Sequence, residues 1–277
     1  MVRRRSRVQF PPEAPLQENK LRMIVMSTSL ERYLKDIKLE AFFKTLDVSN
    51  PETLAETVEH FTTKEAERRD KIVFNYFGQS GINRIVGTVT GKLLEKPELR
   101  SNAEVLDIGA GTGFFTIRIA KRIRAEKPKA SFYAMDLTPA MLLSLVKKNA
   151  DITPFVGVAE NIQGSIAQAK QFLNVPNKFD ATFSTLMLHH SDEPEKVFES
   201  LKTILGENGK AVLVDLCEHG FEEFRAEMGD VHLGFRPESI REMARKHFSH
   251  VHIEKLPGIS CECSGRAAEI FVASMHN

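Results

Sequence analysis

Tryptophan is missing from these 277 residues, and cysteine and tyrosine occur three times each. Three thiols, Cys217, Cys261 and Cys263, are too few and too unevenly spaced for a disulfide framework, which points to a reducing, cytoplasmic setting. No apolar run approaches the roughly 18 residues that cross a bilayer, so no membrane span is expected. Charge of one sign is lacking as well: 38 basic against 37 acidic side chains leave a formal charge of +1. A chain so balanced carries no field for a membrane surface or a nucleic acid. The balance is uneven, because residues 1–22 hold six basic and two acidic side chains and leave the remainder near −3. A slightly acidic body disfavours binding to phosphate backbones.

What is present divides the chain in three. Residues 1–26 open with "MVRRRSRVQFPPEAPLQENK", which has Pro11, Pro12 and Pro15 and no periodicity. The expectation is a disordered extension, with a basic arm touching nucleic acid as the alternative; a secretory leader would need an apolar segment behind the charges. Its "RVQFP" is what translation of the 3′ arm of a transfer-RNA gene yields, which puts the expected native start at Met23 or Met26. Residues 27–98 read as a helical lid segment. "LERYLKDIKLEAFFKTL" keeps a 3.6-residue apolar period, Asn50-Pro51 marks a break, and "TTKEAERRDKIVFNYFG" is a capped helix stopped at Gly78. A further helix is expected at about 82–95.

From residue 99 to 277 short apolar runs alternate with amphipathic helices, predicting an α/β domain with a parallel sheet covered on both faces. "HVHIEKL" and "AAEIFVASM" follow one another without a helix between them, so they pair antiparallel. Cys261 and Cys263 are expected in the link between these two strands.

The chemistry starts at "EVLDIGAGTGFFTIRIA", residues 104–120. Glycines after a first strand let backbone approach a ligand closely. A dinucleotide loop is spaced G-x-G-x-x-G and receives a pyrophosphate at the following helix. Here the spacing is Gly109, Gly111, Gly113, with Asp107 in front. A carboxylate there repels pyrophosphate but suits an ammonium or sulfonium cation. Asp136 ends the second strand, 29 residues after Asp107, where an acid can accept hydrogen bonds from both hydroxyls of a ribose.

Residues 101 to 275 resemble a class I S-adenosylmethionine (SAM)-dependent methyltransferase, nearest the small-molecule ubiquinone and menaquinone group. The resemblance rests on "VLDIGAGTG", on "AMDLTPAML", and on "FDATFSTLMLHHSDEPEKVFESLKTILGENGKAVLVDL". It implies a doubly wound, mostly parallel seven-stranded sheet of order 3-2-1-4-5-7-6, Rossmann-like, with the last strand antiparallel. It also implies SAM as cofactor, with Asp107 and Gly109 facing the methionyl amine and Gly111 under the sugar. Ala110 and Gly113 complete that loop, Asp136 holds the ribose hydroxyls, and Leu137 lies beside the adenine. Ser184 and Tyr76 join the cofactor set, Tyr76 as an upstream aromatic closing over it. Relatives commonly read "GDAENL" where this chain has "GVAENI". Val158 therefore replaces the acid that meets the adenine amine, and Glu160 or the Ala159 backbone is expected to substitute.

Methyl transfer is an in-line displacement whose catalysis is mostly positioning and exclusion of water. The protein needs at most a base. Histidines beyond strand ends are the candidates: His189, His190, His219 and His232, of which His190 and His232 are assigned catalytic, ahead of Glu218, His219 and Asp230. The partner is a small-molecule methyl acceptor under a lid made by the helical segment and residues 217–236. It is lipophilic if Phe42, Phe43, Phe221, Phe224 and Phe235 shape its pocket rather than merely pack. Two alternatives stand beside this reading: methylation of RNA or protein, and a non-catalytic SAM-binding module. Metalloid methylation through the thiols is a minor one. Cys-x-Cys alone lacks the spacing of a structural zinc site, so no metal ligands are assigned. A homodimer is left as an alternative to the monomer.

Overall fold

The computed structural model describes residues 28–46, 48–148 and 151–277. The extension expected over residues 1–26, with its start at Met23 or Met26, lies outside the described residues. Four helices come first: α1 at 28–36, α2 (Leu39–Leu46), α3 (Pro51–His60) and α4 (Thr63–Leu94). The alternating part follows as β1 (Glu104–Ile108), α5 (Phe114–Glu126), β2 (Ser131–Asp136), α6 (Pro139–Lys147), β3 (Thr153–Val156), α7 (Ile162–Ala169) and β4 (Phe179–Thr185). It continues with α8 (Pro194–Ile204), β5 (Leu205–Leu216), α9 (Glu223–Met228), α10 (Pro237–Arg245), β6 (His250–Cys263) and β7 (Arg266–His276). Helices α3, α6, α8 and α10 all open on a proline, whose fixed φ and missing N–H suit a first turn.

The seven strands lie in the order β3-β2-β1-β4-β5-β7-β6, with β7 antiparallel to both neighbours. Two apolar layers sandwich them. Along β1 the pleat sends Val105 into the layer built with α4 and α5, and Leu106 and Ile108 into the layer built with α7, α8 and α10. Strand order reverses between β1 and β4, and in such a sheet the crevice at the carboxyl ends of these strands takes the ligand.

The helical segment divides its work. Leu34, Phe42, Phe43 and Leu46 pack on Leu142, Val146, Val156 and Val158 at the β3 side of the sheet. Helix α4 breaks at Gly78, where φ is +58°, a left-handed conformation that glycine adopts without strain. Beyond the break, Ile82, Ile85, Val86, Val89 and Leu93 are almost fully buried in the α4–α5 layer. This half of α4 is a core layer.

One boundary differs from expectation. Cys261 and Cys263 lie inside β6, paired with Ala268 and Arg266 of β7. The link is only Ser264-Gly265, both at positive φ (48° and 73°), the geometry of a tight two-residue hairpin. The strand reads as a turn because its pairing shifts between Lys255 and Ser260. Pro257 and Gly258 sit at that bulge and mask its continuity.

Candidate active site

Asp107 ends β1 on the α5 side of the sheet and is fully buried. One carboxylate oxygen accepts the Thr116 hydroxyl at 2.5 Å; the other, Oδ1, has no protein partner. Burial, seconded by the negative charge of Asp136, raises its pKa well above the ordinary carboxylate range. The loop behind it turns through Gly109, Gly111 and Gly113, all at positive φ. Four of its amides are already taken. Gly109 and Ala110 donate to the Met135 carbonyl at 2.8 and 3.0 Å, and Gly113 donates to Ala110. Gly111 donates to the Asp136 carboxylate at 2.7 Å, whose second oxygen accepts the Thr138 N–H at 2.8 Å. A phosphate cradle needs free N–H groups aimed at the anion. Two acids over a loop with four amides bonded elsewhere make a recess that favours a cation instead.

A cavity opens against that loop. Gly109, Gly111, Asp136, Leu137, Val158, Ala159 and Glu160 line its sheet side. Leu54, Thr57, Phe61 and Arg69, from α3, the turn after it and the start of α4, line the opposite side. Leu186, Met187, His190 and Ser191 close it from the end of β4. Leu186 holds φ +60°, a strained position for a branched side chain. The turn delivers Met187 over the loop, so close that a Cβ on Gly109 would lie 2.2 Å from Met187 Cγ. Glu160 is raised in pKa by burial and accepts the Ser191 hydroxyl.

Deeper in this wall sits a polar cluster. His189 is fully buried, with Nδ1 2.6 Å from Asp215. Asp215 also accepts the Leu188 and Leu216 N–H groups at 2.8 and 2.7 Å. Burial pulls the His189 pKa down, but the charge and hydrogen bond of Asp215, with Asp230 behind, outweigh it and leave it raised. His190 Nδ1 lies 3.0 Å from the Gly229 carbonyl oxygen. Burial and the neighbouring His189 hold its pKa well below the ordinary value.

A family model described as a methyltransferase domain matches residues 99–254. The chain belongs to the class I SAM-dependent methyltransferases. Curated relatives include the ubiquinone/menaquinone biosynthesis C-methyltransferase UbiE of Rickettsia typhi, 24% identical over 126 residues, 46% of this chain and 48% of that protein. Malonyl-[acyl-carrier protein] O-methyltransferase 1 of Ilyobacter polytropus is 25% identical over 121 residues, 44% of this chain and 41% of that protein. The chain thus spans less than half the length of both. Phosphoethanolamine N-methyltransferase 2 of Haemonchus contortus, solved with SAM, shares the fold at a TM-score of 0.56 and 16% identity, over 85% of this chain and 60% of that one.

SAM fits the residues present in this methyltransferase. The orphaned Asp107 Oδ1 is an acceptor awaiting a cation, and a Cβ on Gly111 would meet nothing within 4 Å, so the backbone there faces open space. Gly109, Gly111, Asp136, Leu137, Ala159, Glu160 and His190 are brought together around the cavity. Asp107, Ala110 and Gly113 support it from beneath without lining it. Ser184 and Tyr76 fall elsewhere. The Ser184 hydroxyl donates to the Ile108 carbonyl at 2.8 Å within the sheet, and Tyr76 is buried in the α4–α5 layer, so neither lines the cavity. His232 also lies off it, its ring centroid 5.1 Å from that of Phe235 and its N–H donating to the His189 carbonyl. Phe42, Phe43, Phe221, Phe224 and Phe235 pack in the hydrophobic layers. The apolar lining comes from Leu54, Phe61, Met141, Leu186 and Met187 instead. Cys217 belongs to a different apolar layer from Cys261 and Cys263. Burial pushes Cys217 to about 11 and Cys263 to about 12, so no thiolate faces the cavity. The sequence reading missed Arg69, Phe61 and Met187; the only signal for Arg69 is its place seven residues before Tyr76 on one helix.

Proposed function

We propose that this chain methylates a small acceptor held between the glycine loop and the α3–α4 wall. The observation that carries the reading is one continuous cavity with Gly111 and Asp136 on one side and Phe61, Arg69 and His190 on the other. When bound, SAM supplies an electrophilic methyl group on a sulfonium. Asp107, beneath the loop with Oδ1 unpartnered, is the carboxylate assigned to the methionyl ammonium, and Arg69 lines the cavity as the cation for the methionyl carboxylate. Asp136 keeps lone pairs for the ribose hydroxyls. Leu137, Val158 and Ala159 offer an apolar slot for the adenine, with the Glu160 carboxylate for its amine. The acceptor lies toward Leu54, Phe61 and Met187, a mixed surface that suits a lipophilic molecule with one polar group. His190 presents its Nε2 there as a neutral imidazole, because Nδ1–H is directed at the Gly229 carbonyl. It meets the proton of the acceptor atom that is methylated. The buried thiols suit a reducing cytoplasm.

Titration calorimetry with SAM tests the first half: binding is expected, and Asp107→Ala should abolish it. Unchanged affinity in that variant would remove the cofactor from this loop. Release of S-adenosylhomocysteine on incubation with fractionated small-molecule extracts tests the second half. A chain that binds SAM but turns over with no fraction is the silent module, and a product only with RNA or protein fractions moves the acceptor class.

A further inference from the structure

Three side chains beside the cavity have buried polar atoms without partners, and the methyl transfer proposed above uses only that of His190. His189 Nε2, His190 Nε2 and both carboxylate oxygens of Asp230 are buried and have no hydrogen-bond partner. One ligand atom from each residue lies within 4.8 Å of the others. His189 is 0% exposed and Asp230 4%. The surroundings also settle which ring nitrogens are free. Nδ1 of His189 is engaged by Asp215 at 2.6 Å and Nδ1 of His190 by the Gly229 carbonyl at 3.0 Å. The other ring nitrogen of each, Nε2, is buried without a hydrogen-bond partner, and that of His189 lies 3.5 Å from the Asp230 carboxylate.

We propose that His189, His190 and Asp230 form a site for a divalent transition-metal cation of the Zn2+ class, open on the cavity side. Two imidazoles and one carboxylate with a position left over is the donor set of a site that also takes an exogenous oxygen. A metal-bound histidine commonly gives its other ring nitrogen to a carboxylate or a backbone carbonyl, which orients the ring; His189 and His190 each have one. The spacing agrees. His189 Nε2 and Asp230 Oδ1 are 3.5 Å apart, long for a charged hydrogen bond. Two ligands at about 2.0–2.1 Å from a tetrahedral ion would lie roughly 3.3 Å apart. A single proton between those two atoms leaves His190 Nε2 and the second oxygen unmatched. Arg69, the fixed cation whose field reaches all three groups, is held above the Phe61 ring at 5.1 Å. The inference rests on the cavity being the acceptor site for its role: the open position takes an acceptor oxygen, and His190 acts through the cation instead of as a free base.

Cobalt(II) is the probe. The full chain, stripped with chelator and desalted, should bind one equivalent with visible d–d absorption that Zn2+ displaces. Asp230→Asn and His189→Gln should each weaken Co2+ at least a hundredfold with circular dichroism and SAM affinity kept. Asp215→Asn should weaken it by about 10- to 100-fold. Folded, SAM-binding wild-type chain with no stoichiometric Co2+ or Zn2+ overturns the site and leaves a shared proton in its place. Undiminished Co2+ binding in Asp230→Asn overturns it too. Wild-type chain that binds Co2+ but not SAM keeps the site and loses the function proposed above.

Discussion

The two walls of the cavity are held by different forces. On the sheet wall, main chain does the work: four loop amides have fixed acceptors, and Asp136 clamps Gly111 to Thr138. On the opposite wall, side chains from separate helices meet, with the Arg69 guanidinium over Phe61 and the Phe61 ring edge-on to His190 at 5.4 Å. The first wall is held by main-chain bonds between the β1 loop and the end of β2. The second exists only once α3, α4 and the end of β4 have packed. Substitutions should therefore be intolerable on the sheet wall and graded on the other.

The largest effect is expected at Gly109. Alanine there must hold φ +71° with its Cβ 2.2 Å from Met187, which should destabilise the fold by about 3 kcal/mol in urea unfolding and abolish SAM binding. An alanine variant of normal stability would show that the loop is looser than its geometry. Next comes Asp107→Asn, which removes the charge but keeps the shape. SAM affinity should drop by about 2 kcal/mol, the worth of a hydrogen bond to a charged group. The same variant carries a pH signature. Because burial, then Asp136, raises the Asp107 pKa in the fold, its contribution to stability is intact below the ordinary 3.8 and lost as pH rises through the raised value. Unfolding of the SAM-free chain followed from pH 3 upward should show that decline, and Asp107→Asn should flatten it; parallel profiles would contradict the assignment.

This contrast also explains what the sequence could show. Gly109-x-Gly111-x-Gly113, Asp107 and Asp136 are legible because the glycines and acids follow strand ends at recognisable spacings, although the loop's amides bond to Met135 and Asp136 on the next strand. The antiparallel terminal pair follows from the missing helix between its strands, whereas the strand order comes from the family resemblance. Arg69 is hard to see because nothing in "EAERRDKIVF" says which face of α4 turns to the cavity, and Phe61 because it sits in the turn between α3 and α4. Ser184 and Tyr76 lie off the cavity for the same reason, since position in a motif does not fix which layer a side chain enters. Cys261 and Cys263 were read into a turn because the β6 bulge interrupts the alternation that marks a strand. His189 and Asp230 stand 41 residues apart, and only the fold brings them together.

On the side-chain wall the effects should be smaller. Arg69→Ala should weaken SAM by about tenfold, or 1.4 kcal/mol, with unfolding little changed, because its ion pair with Glu65 is long at 3.8 Å and such pairs contribute little. Calorimetry separates this from Asp107: Arg69→Lys should recover part of the loss by keeping the charge. A stability loss as large as that of Gly109→Ala would show that Arg69 holds α4 in place, erasing the distinction between the walls.

The smallest effect is expected at Tyr76, and it tests where the boundary of the site lies. An aromatic that closes over the cofactor should lose affinity when its hydroxyl is removed. Tyr76 lies in the α4–α5 layer, where burial raises its pKa. Tyr76→Phe keeps the packed ring and removes only the hydroxyl, so SAM affinity and turnover should stay within about twofold of wild type, a change near 0.4 kcal/mol. A tenfold loss of affinity with unfolding unchanged would pull Tyr76 across the boundary. The break at Gly78, two residues further on, would then have to swing the ring toward the cavity when SAM binds.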